Sequence, residues 1–399
     1  MSGDVASLVL AMNVGSSSVR FATYVMGHAP ERRLHGKLDR VGSVGSTLTF
    51  YDSVREQRES RDVGALDHHT AMSFLIEWLA SQIGFASLSA VGHRIVSGGA
   101  SYGDPQPVTD SLLEELHRII PYAPEHLPLE IGLIERIRER APTLLQVVCF
   151  DSAFHRDMPR VARILPVPRR LQAKGVERYG FHGLSYAFLM EELARAAGTR
   201  VASGRVILAH LGNGSSLAAV RGGKSIDTSM GLTPAAGVPM STRSGDLDPG
   251  LFGYLAQTEQ MTVDQFHRMV NHESGLLGVS ETSADIRDLL DSEAHDVRAA
   301  EAVALFCYQI KKCIGAYAAA LGGLDTLVFA GGIGENAAVI RRRICEGLGF
   351  LGIDVDDGRN ERGEPVISAA GGRVDVRIIH TDEELMIAKS VSLLMGAKA

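Results

Sequence analysis

Two short apolar stretches, each followed by a turn of small polar residues, constrain the fold of this 399-residue chain more than any other feature. The first occupies residues 8–20, with its turn at 15–18, and the second occupies residues 206–217, with its turn at 212–214. Each predicts a β-hairpin, because glycine permits positive φ and small turn residues let backbone N–H groups approach an anion. A single turn of this kind is more often only a turn. The pair predicts a duplicated fold that holds nucleotide phosphates between its halves.

Length and composition place the chain among ordinary globular proteins. It carries 22% charged and 45% hydrophobic residues, and 399 residues suggest two or three domains. The net charge of −7 argues against non-specific nucleic-acid binding, although a local arginine cluster would still bind a phosphate group. No apolar run approaches the roughly 20 residues of a membrane span, and the N-terminus lacks a secretory signal pattern. Because the four cysteines form no CxxC pair, we expect reduced thiols and a cytoplasmic protein with no nucleic-acid or membrane partner.

Apolar strands alternate with helical segments along the chain, which predicts mixed sheets covered by helices. Residues 30–65 are charged and turn-rich and contain one predicted strand, and the only tryptophan, Trp78, is predicted to pack in the core. The predicted strands are 7–14, 18–25, 46–51, 90–96, 145–150, 205–210, 215–221, 325–330 and 374–380. The predicted helices are 70–83, 110–120 with Asp110 as its N-cap, 131–140, 184–197, 299–321, one from the end of the 331–336 turn to about 348, and 383–394.

A further anion-binding signal is the segment 331–336, Gly-Gly-Ile-Gly-Glu-Asn, which follows a predicted strand and precedes a predicted helix. This arrangement places free amides and a helix N-terminus near an anion, although a tight βα turn has the same pattern. Residues 223–225 resemble the end of a P-loop, but Ala218 stands where that motif requires glycine. We therefore predict a hairpin turn at 223–225.

Three charged residues occupy positions that favour a chemical role. Arg94 lies inside an apolar strand, where an unpaired charge would be costly. Asp151 directly follows a strand, a common place for catalytic groups in α/β sheets. Arg243 lies in a polar loop and offers a guanidinium fork to a carboxylate or phosphoryl group, the alternative being an ion pair with Asp246 or Asp248. The sequence has no HExxH, zinc-ligand or GxSxG spacing, so metalloprotease and serine-hydrolase functions are excluded.

Together, nine segments resemble the acetate kinase family (acetate/propionate kinases) of the acetate and sugar kinase/Hsp70/actin superfamily. They extend from near residue 8 to near residue 390, and such an ordered coincidence is far more specific than any single motif. The segments are 13–18, 92–99, 150–155, 178–183, 210–216, 228–249, 283–288, 329–336 and 381–387.

The resemblance implies an α/β, duplicated actin-like ATPase (ribonuclease H-like) fold with two domains and a cleft between them. The N-terminal domain would comprise residues 1–152 and 384–399, and the C-terminal nucleotide-binding domain would comprise 153–383. The implied reaction is the reversible, Mg²⁺-dependent transfer of the ATP γ-phosphoryl group to acetate, which gives acetyl phosphate and ADP. Mn²⁺ would be the substitute metal, and the family also implies a homodimer.

The resemblance further implies roles for individual residues. Phosphoryl transfer needs positioning and charge neutralisation rather than a strong base, which explains two arginines and a histidine. Asp151 would orient the attacking carboxylate and help to position the metal. The implied metal ligands are Asn13 and Glu383. The implied catalytic residues are Asp151, Arg94, Arg243 and His182. The implied acceptor-binding residues are Arg94, Val96, Phe181, Pro234 and His126. The implied nucleotide-binding residues are Ser17, Arg20, His210, Leu211, Gly212, Asn213, Gly214, Asp285, Ile286, Arg287, Gly332, Ile333, Gly334, Glu335 and Asn336.

The segment around His126 departs from the family pattern. The family has Ala-Pro-Leu-His-Asn-Pro there, whereas Glu125 and Leu127 stand at the third and fifth positions of this chain. A kinase of propionate or another short-chain carboxylate is therefore an alternative to an acetate kinase. A non-catalytic nucleotide-binding homologue is a second alternative, which the intact catalytic residues oppose. A sugar kinase is a third, but it gives no reason for two arginines facing an anionic acceptor.

Overall fold

Each predicted hairpin lies in its own sheet, in one of two compact units. The computed structural model describes residues 7–15, 18–42 and 45–396. Unit 1 comprises Met1–Ala153 and Asp382–Ala399, so the last helix belongs with the first strands. Unit 2 comprises Phe154–Thr381. Within the described part of the chain, no helix is both long enough and apolar enough to cross a membrane.

Unit 1 is built on a mixed sheet with the strand order β5-β4-β3-β2-β1-β6-β8-β7. Its strands are β1 (Ser7–Val14), β2 (Ser18–Met26), β3 (Glu31–Asp39), β4 (Ser46–Asp52), β5 (Gln57–Gly64), β6 (Ala90–Ile95), β7 (Gln106–Pro107) and β8 (Leu145–Phe150). Its helices are α1 (His68–Ile83), α2 (Asp110–Arg118), α3 (Leu127–Arg140) and α16 (Glu383–Gly396).

Unit 2 is built on a second mixed sheet with the strand order β11-β10-β9-β12-β13. Its strands are β9 (Arg205–Leu211), β10 (Ser215–Arg221), β11 (Lys224–Thr228), β12 (Thr326–Ala330) and β13 (Asp375–Ile378). Its helices are α4 (Arg160–Arg163), α5 (Arg169–Gln172), α6 (Gly183–Ala197), α7 (Thr199–Ala202), α8 (Leu251–Thr258), α9 (Val263–His272), α10 (Gly275–Ser280), α11 (Ile286–Ser292), α12 (Val297–Leu321), α13 (Gly331–Asn336), α14 (Ala338–Cys345) and α15 (Asp357–Glu361). Short 3₁₀ helices lie at Phe85–Ser87, Ile120–Tyr122, Ala153–His155 and Gly349–Leu351.

The two sheets repeat one topology, which confirms the predicted duplication. In unit 1, the antiparallel strands β3-β2-β1 lie beside β6 and β8, which run parallel to β1. In unit 2, the antiparallel strands β11-β10-β9 lie beside β12 and β13, which run parallel to β9. Both predicted hairpins form. The turn between β10 and β11 lies at residues 222–223, so Lys224 and Ser225, which were predicted in the turn, belong to β11.

Each unit has its own apolar core beneath its sheet. Trp78 is 8% exposed, and the centroid of its ring lies 5.4 Å from that of Phe21 and 4.9 Å from that of Phe50. The predicted core position of this tryptophan is therefore confirmed. The four cysteines are free thiols, as expected, and burial raises the pKa of Cys149 to about 12.

Helix α16 belongs to unit 1, where it packs on β1, β2 and β6. The approach to β6 is close, because a Cβ atom on Gly92 would overlap Ile387 and lie 2.7 Å from Val391 Cγ2. Ser390, in the same helix, hydrogen-bonds the Cys149 thiol. The face of the sheet around Gly92 is therefore covered only when the chain returns to its first strands as α16.

Some predicted boundaries are wrong for local reasons. Thr109 rather than Asp110 caps α2, because Thr109 Oγ1 accepts a hydrogen bond from Leu112 N at 3.2 Å. Helix α3 begins at Leu127 rather than at residue 131, with Pro128 in its first turn. Proline suits that position, because the first N–H groups of a helix need no partner within the helix.

Other segments are more regular than expected. Residues 331–336 form α13 rather than an open turn, because the Glu335 side chain accepts a hydrogen bond from Gly331 N at 2.9 Å. Strands β3 and β5 were not predicted, since their residues are mostly charged. Strand β5 is largely exposed and depends on pairing with β4 rather than on an apolar face.

Candidate active site

Arg94 and Asp151 lie at the carboxyl ends of two adjacent parallel strands in unit 1. Arg94 is the penultimate residue of β6, with its side chain 11% exposed, and Asp151 directly follows β8 and is fully buried. Arg94 Nη2 donates to Asp151 Oδ2 at 2.9 Å, and Nη1 donates to the Val14 carbonyl at 3.0 Å. Burial opposes the charge of Arg94, but Asp151 and Glu130 outweigh it and raise the pKa of the guanidinium. The charge inside this strand is therefore paired.

Asn13, in β1, faces the first turn of α16. Its Nδ2 atom donates to Glu383 Oε2 at 2.7 Å and to Glu384 Oε1 at 3.0 Å. Carboxylates are favoured there, because the N-terminal end of a helix carries partial positive charge. Burial, followed by the adjacent Glu383, raises the pKa of Glu384, and Arg20 opposes this shift. Both ends of the chain thus contribute to one polar cluster.

The donor atoms around Asn13 suit Mg²⁺. This ion prefers oxygen ligands and commonly takes one or two carboxylates together with substrate phosphates. Asn13 offers an amide oxygen, because the glutamates engage its nitrogen, and Glu383 offers a carboxylate. Among residues 7–15, 18–42 and 45–396, no three His, Cys, Asp or Glu side chains form a group that could hold a metal ion.

The other acceptor-binding residues predicted in unit 1 are buried. Val96 directly follows β6, is 1% exposed, and donates its N–H to Glu130 Oε2 at 2.9 Å. His126 directly precedes α3 and is also buried, whereas Glu125 is half-buried. The predicted nucleotide-binding residue Ser17 lies outside the described residues.

In unit 2, His182 has a backbone conformation that non-glycine residues rarely adopt. It precedes α6 with φ 60° and ψ 24°, in the left-handed region. Its Nδ1 atom hydrogen-bonds with Ser216 Oγ at 2.8 Å, and its ring stacks on His210 with the centroids 4.3 Å apart. Such strain persists only where surrounding contacts maintain it, and it is concentrated at functional sites.

His210, near the end of β9, is held by hydroxyl groups. Its Nδ1 atom hydrogen-bonds with Ser185 Oγ at 2.8 Å, and Ser185 Oγ hydrogen-bonds with Thr381 Oγ1 at 2.7 Å. A Cβ atom on Gly212 would lie 3.8 Å from Gly332 N and 4.0 Å from His210 Nε2. The turn after β9, this histidine and the first residues of α13 are therefore adjacent.

Gly214, in the same turn, marks the place where His182 and Arg243 meet. A Cβ atom on Gly214 would lie 3.3 Å from His182 Nε2 and 3.6 Å from Arg243 Nη1. Arg243 Nη1 also lies 3.4 Å from the Pro234 carbonyl oxygen. A guanidinium, an imidazole and backbone N–H groups thus line one turn. Such a set of hydrogen-bond donors suits a phosphoryl group.

The predicted acceptor-binding residues are divided between the units. Phe181, which precedes His182, is 2% exposed, and its carbonyl oxygen lies 3.1 Å from His155 Nε2. Phe181 and Pro234 belong to unit 2, whereas Val96 and His126 belong to unit 1.

Among the predicted nucleotide-binding residues, Asn213 is exposed, and its carbonyl oxygen accepts a hydrogen bond from Ser241 N at 3.2 Å.

The side chains of α13 support the structure around them. Glu335 accepts hydrogen bonds from Gly331 N at 2.9 Å and from Thr381 N at 3.1 Å. Asn336 Nδ2 donates to the Gly332 carbonyl at 2.9 Å. Backbone amides, such as that of Gly332 beside the hairpin turn, are the groups that this helix offers to an anion.

Several predicted nucleotide-binding side chains have partners within unit 2. Asp285, which precedes α11, accepts a hydrogen bond from Arg287 N at 2.9 Å and pairs with the Arg287 guanidinium at 2.5 Å. The Arg287 side chain is itself 82% exposed. The predicted residues whose side chains belong to the apolar core are Leu211, Ile286 and Ile333.

Two carboxylates of unit 1 that contact the predicted site residues were not identified from the sequence. Glu130 Oε1 lies 3.1 Å from Arg94 Nη1, and Glu384 contacts Asn13. The available signals were a carboxylate among the apolar residues of α3 and the adjacency of Glu384 to Glu383. Neither signal reveals the partner, because the contacts join residues 36 and 371 positions apart.

Relatives of this chain are found among known proteins over nearly its whole length. The chain matches the model of the acetokinase family over residues 8–389. It is 42% identical over 390 residues to a propionate kinase of Citrobacter rodentium (strain ICC168), covering 96% of each chain. It is 42% identical over 407 residues to an acetate kinase of Rhodopseudomonas palustris (strain TIE-1), covering 97% of this chain and 98% of that one. The crystal structure of Porphyromonas gingivalis acetate kinase matches with a TM-score of 0.85 and 36% identity, covering 98% of this chain and 100% of that one.

Similarity of this extent defines the class of protein. The chain belongs to the acetokinase family. Its two sheets match the solved acetate kinase in fold, which confirms the predicted duplicated actin-like ATPase fold. Membership makes the chain a phosphotransferase that uses ATP or ADP. The relatives named above include both an acetate kinase and a propionate kinase. Family membership therefore gives the type of reaction but not the acid that accepts the phosphoryl group.

Proposed function

We propose that the protein is an acetate kinase, which reversibly transfers the γ-phosphoryl group of ATP to acetate and forms acetyl phosphate and ADP. The observation that carries the proposal is the meeting of Arg243 Nη1 and His182 Nε2 beside Gly214. A cation and an imidazole beside backbone amides suit a group whose negative charge spreads during transfer. Similarity to the R. palustris acetate kinase supports acetate as the acceptor, and similarity to the C. rodentium propionate kinase makes propionate the second candidate.

In this proposal, unit 2 binds the nucleotide. The turn 212–214 and the amide of Gly332 bind the ATP phosphates, and Asp285 and Arg287 contact the nucleoside. Arg243 and His182 donate hydrogen bonds to the γ-phosphoryl oxygens as the bond to ADP breaks. The required His182 tautomer carries its proton on Nε2, because Nδ1 can accept from the Ser216 hydroxyl.

Unit 1 binds the acceptor acid. The carboxylate of this acid attacks the γ-phosphorus atom of ATP. A short-chain carboxylate is ionised at pH 7, so the attack needs no general base. Arg94 pairs with the acceptor carboxylate, and Asp151 keeps the guanidinium in place through the 2.9 Å contact. We assign binding of the acyl group to Val96, His126, Phe181 and Pro234.

We also propose that Asn13 and Glu383 hold Mg²⁺, directly or through water. Their oxygen atoms suit the ion, and both residues lie in unit 1. When bound, Mg²⁺ neutralises part of the phosphate charge. The nearby Arg20 is assigned to the nucleotide phosphates.

Three wider assignments accompany this function. We propose that units 1 and 2 are the two functional domains. The family resemblance supports a homodimer, which light scattering would test. Free cysteines, most of them buried, suit the reducing cytoplasm.

A comparison of acceptors tests the proposal. The protein is supplied with ATP, Mg²⁺ and hydroxylamine, which converts acyl phosphates to hydroxamates, and with formate, acetate, propionate or butyrate. We expect hydroxamate from acetate and propionate, with kcat/KM for acetate about tenfold higher, because one methylene group alters discrimination by this order. Reactions without an acceptor provide the blank.

Each alternative has its own outcome in this assay. A higher kcat/KM with propionate would make the protein a propionate kinase. Absence of hydroxamate with every acid, despite measurable ATP binding, would favour a non-catalytic homologue. Formation of ADP with glucose but with none of the acids would favour a sugar kinase.

A further inference from the structure

Glu130 is a buried carboxylate that contacts two residues of the acceptor site and has no part in the mechanism above. It lies in the first turn of α3, and its side chain is 0% exposed. Its Oε1 atom accepts from Arg94 Nη1 at 3.1 Å, and Oε2 accepts from Val96 N at 2.9 Å. The Glu130 side chain thus links two parts of the proposed acceptor site, namely the Arg94 guanidinium and the backbone of Val96.

The electrostatic surroundings of Glu130 are unusual. Arg94 from β6 and Asp151 at the end of β8 are the charged groups that act on it, so one guanidinium serves two buried carboxylates. Burial is the main influence and raises the pKa of Glu130 to about 7; Arg94 and the Val96 N–H oppose the shift, and Asp151 reinforces it. Both protonation states are therefore populated near neutral pH.

We propose that Glu130 is a positioning residue, whose ionised carboxylate holds the Arg94 guanidinium and the Val96 backbone in one fixed arrangement for the acceptor. The role rests on the carboxylate kinase function proposed above. Both carboxylate oxygens face hydrogen-bond donors, so a proton on either oxygen removes one of the two contacts. Arg94 is then less restrained, and phosphoryl transfer becomes slower.

The variant Glu130→Gln tests this role, because its amide resembles the protonated acid in shape and charge. One donor, Arg94 Nη1 or Val96 N, must then face an NH₂ group. We expect kcat about tenfold below wild type at pH 8 and close to wild type at pH 6, since misplacing a catalytic group costs of this order or more. The wild-type kcat should rise several-fold between these pH values, and that of the variant should stay flat.

The Michaelis constants separate positioning from general damage. KM for acetate should not rise in Glu130→Gln, because the substitution removes a negative charge near an anionic acceptor. Glu135→Gln is the matched control, since Glu135 lies in the same helix but is 46% exposed and contacts His117. Its kcat and pH profile should equal those of the wild type.

The outcomes distinguish this role from the proposed function. A wild type that forms no acyl phosphate overturns both. An active wild type with Glu130→Gln indistinguishable from Glu135→Gln overturns only the role of Glu130, as does a higher KM with unchanged kcat. Should circular dichroism show that Glu130→Gln is unfolded, Glu130→Asp decides, because it keeps the charge: it must retain the rise of kcat with pH. A wild-type kcat that is flat from pH 6 to 8 also overturns the role.

Discussion

The hairpins β1-β2 and β9-β10 have the same position in their sheets but opposite chemistry at their turns. Asn13 and His210 both stand two residues before the first glycine of the turn. In unit 1, Asn13 faces the carboxylates of α16. In unit 2, His210 faces hydroxyl groups, and Arg243 approaches the same turn.

This contrast shows how a duplicated fold acquires two functions. The backbone supplies an antiparallel hairpin at the same place in each sheet, and the side chains near its end differ between the units. The oxygen atoms beside Asn13 suit a cation as ligands, whereas the N–H groups beside Gly214 suit an anion as hydrogen-bond donors. The proposed phosphoryl transfer needs a site for a cation and a site for an anion, so in this proposal the two units are complementary rather than redundant.

Removal of the proposed catalytic arginine of either unit should have the largest effect on activity. Arg94→Ala and Arg243→Ala should each lower kcat on the order of 10³-fold, because each guanidinium neutralises transition-state charge, as an arginine finger does. ATP affinity, measured by calorimetry, should change less than about threefold. The control is Arg195→Ala, which removes an exposed arginine paired with Glu192 and should leave kcat unchanged. Loss of ATP affinity in either active-site variant would contradict its assigned role.

The two hairpins should respond differently to substitution at their equivalent positions. Asn13→Ala should raise the Mg²⁺ concentration for half-maximal activity on the order of 100-fold, as loss of a metal-site residue does. His210→Ala should raise KM for ATP about tenfold, because it removes a polar group beside the phosphates. Steady-state titrations of Mg²⁺ and ATP measure both effects. An altered ATP KM in Asn13→Ala at saturating Mg²⁺ would refute the division of labour between the hairpins.

Glycine substitutions should show a smaller difference in stability between the units. Gly331 has φ +75°, and a Cβ atom there would lie 2.6 Å from the Leu211 carbonyl oxygen, so Gly331→Ala should cost about 2 kcal/mol. Gly92→Ala should cost about 1 kcal/mol, since its neighbours Ile387 and Val391 are side-chain ends that can shift. Denaturant unfolding measures both changes.

The controls for these variants are glycines with open space around them. Gly132 in α3 and Gly315 in α12 have no atom within 4 Å of an added Cβ, so alanine there should stabilise the helix. A larger loss for Gly92→Ala than for Gly331→Ala would show that α16 is less able to adjust than a backbone turn.

Much of the fold could be predicted because its signals are local. The limits of β8 and β10 are those predicted, since β8 ends directly before Asp151 and β10 lies between Gly214 and Gly222. Strand β5 could not be predicted, since it is a charged edge strand that depends on β4. Helix α13 depends on Glu335, whose contact with Gly331 no helix propensity includes.

The residues of the site were easier to predict than their partners. A charge within an apolar strand indicated that Arg94 is paired, but Asp151 and Glu130 lie 57 and 36 positions away. The left-handed conformation of His182 is likewise invisible in the sequence, because it results from contacts with Ser216 and His210. Pairing across a sheet and local strain are properties of the folded chain.

Helix α16 has a consequence for how the protein is synthesised. It packs on β1, β2 and β6 and provides the glutamates opposite Asn13, yet it follows the whole of unit 2 along the chain. Unit 2 is one continuous stretch of chain and can fold during translation. Unit 1 is complete only after α16 has been synthesised, long after β1, β2 and β6. Translation products that stop before residue 382 therefore lack both the helix that packs on β1, β2 and β6 and the carboxylates that contact Asn13.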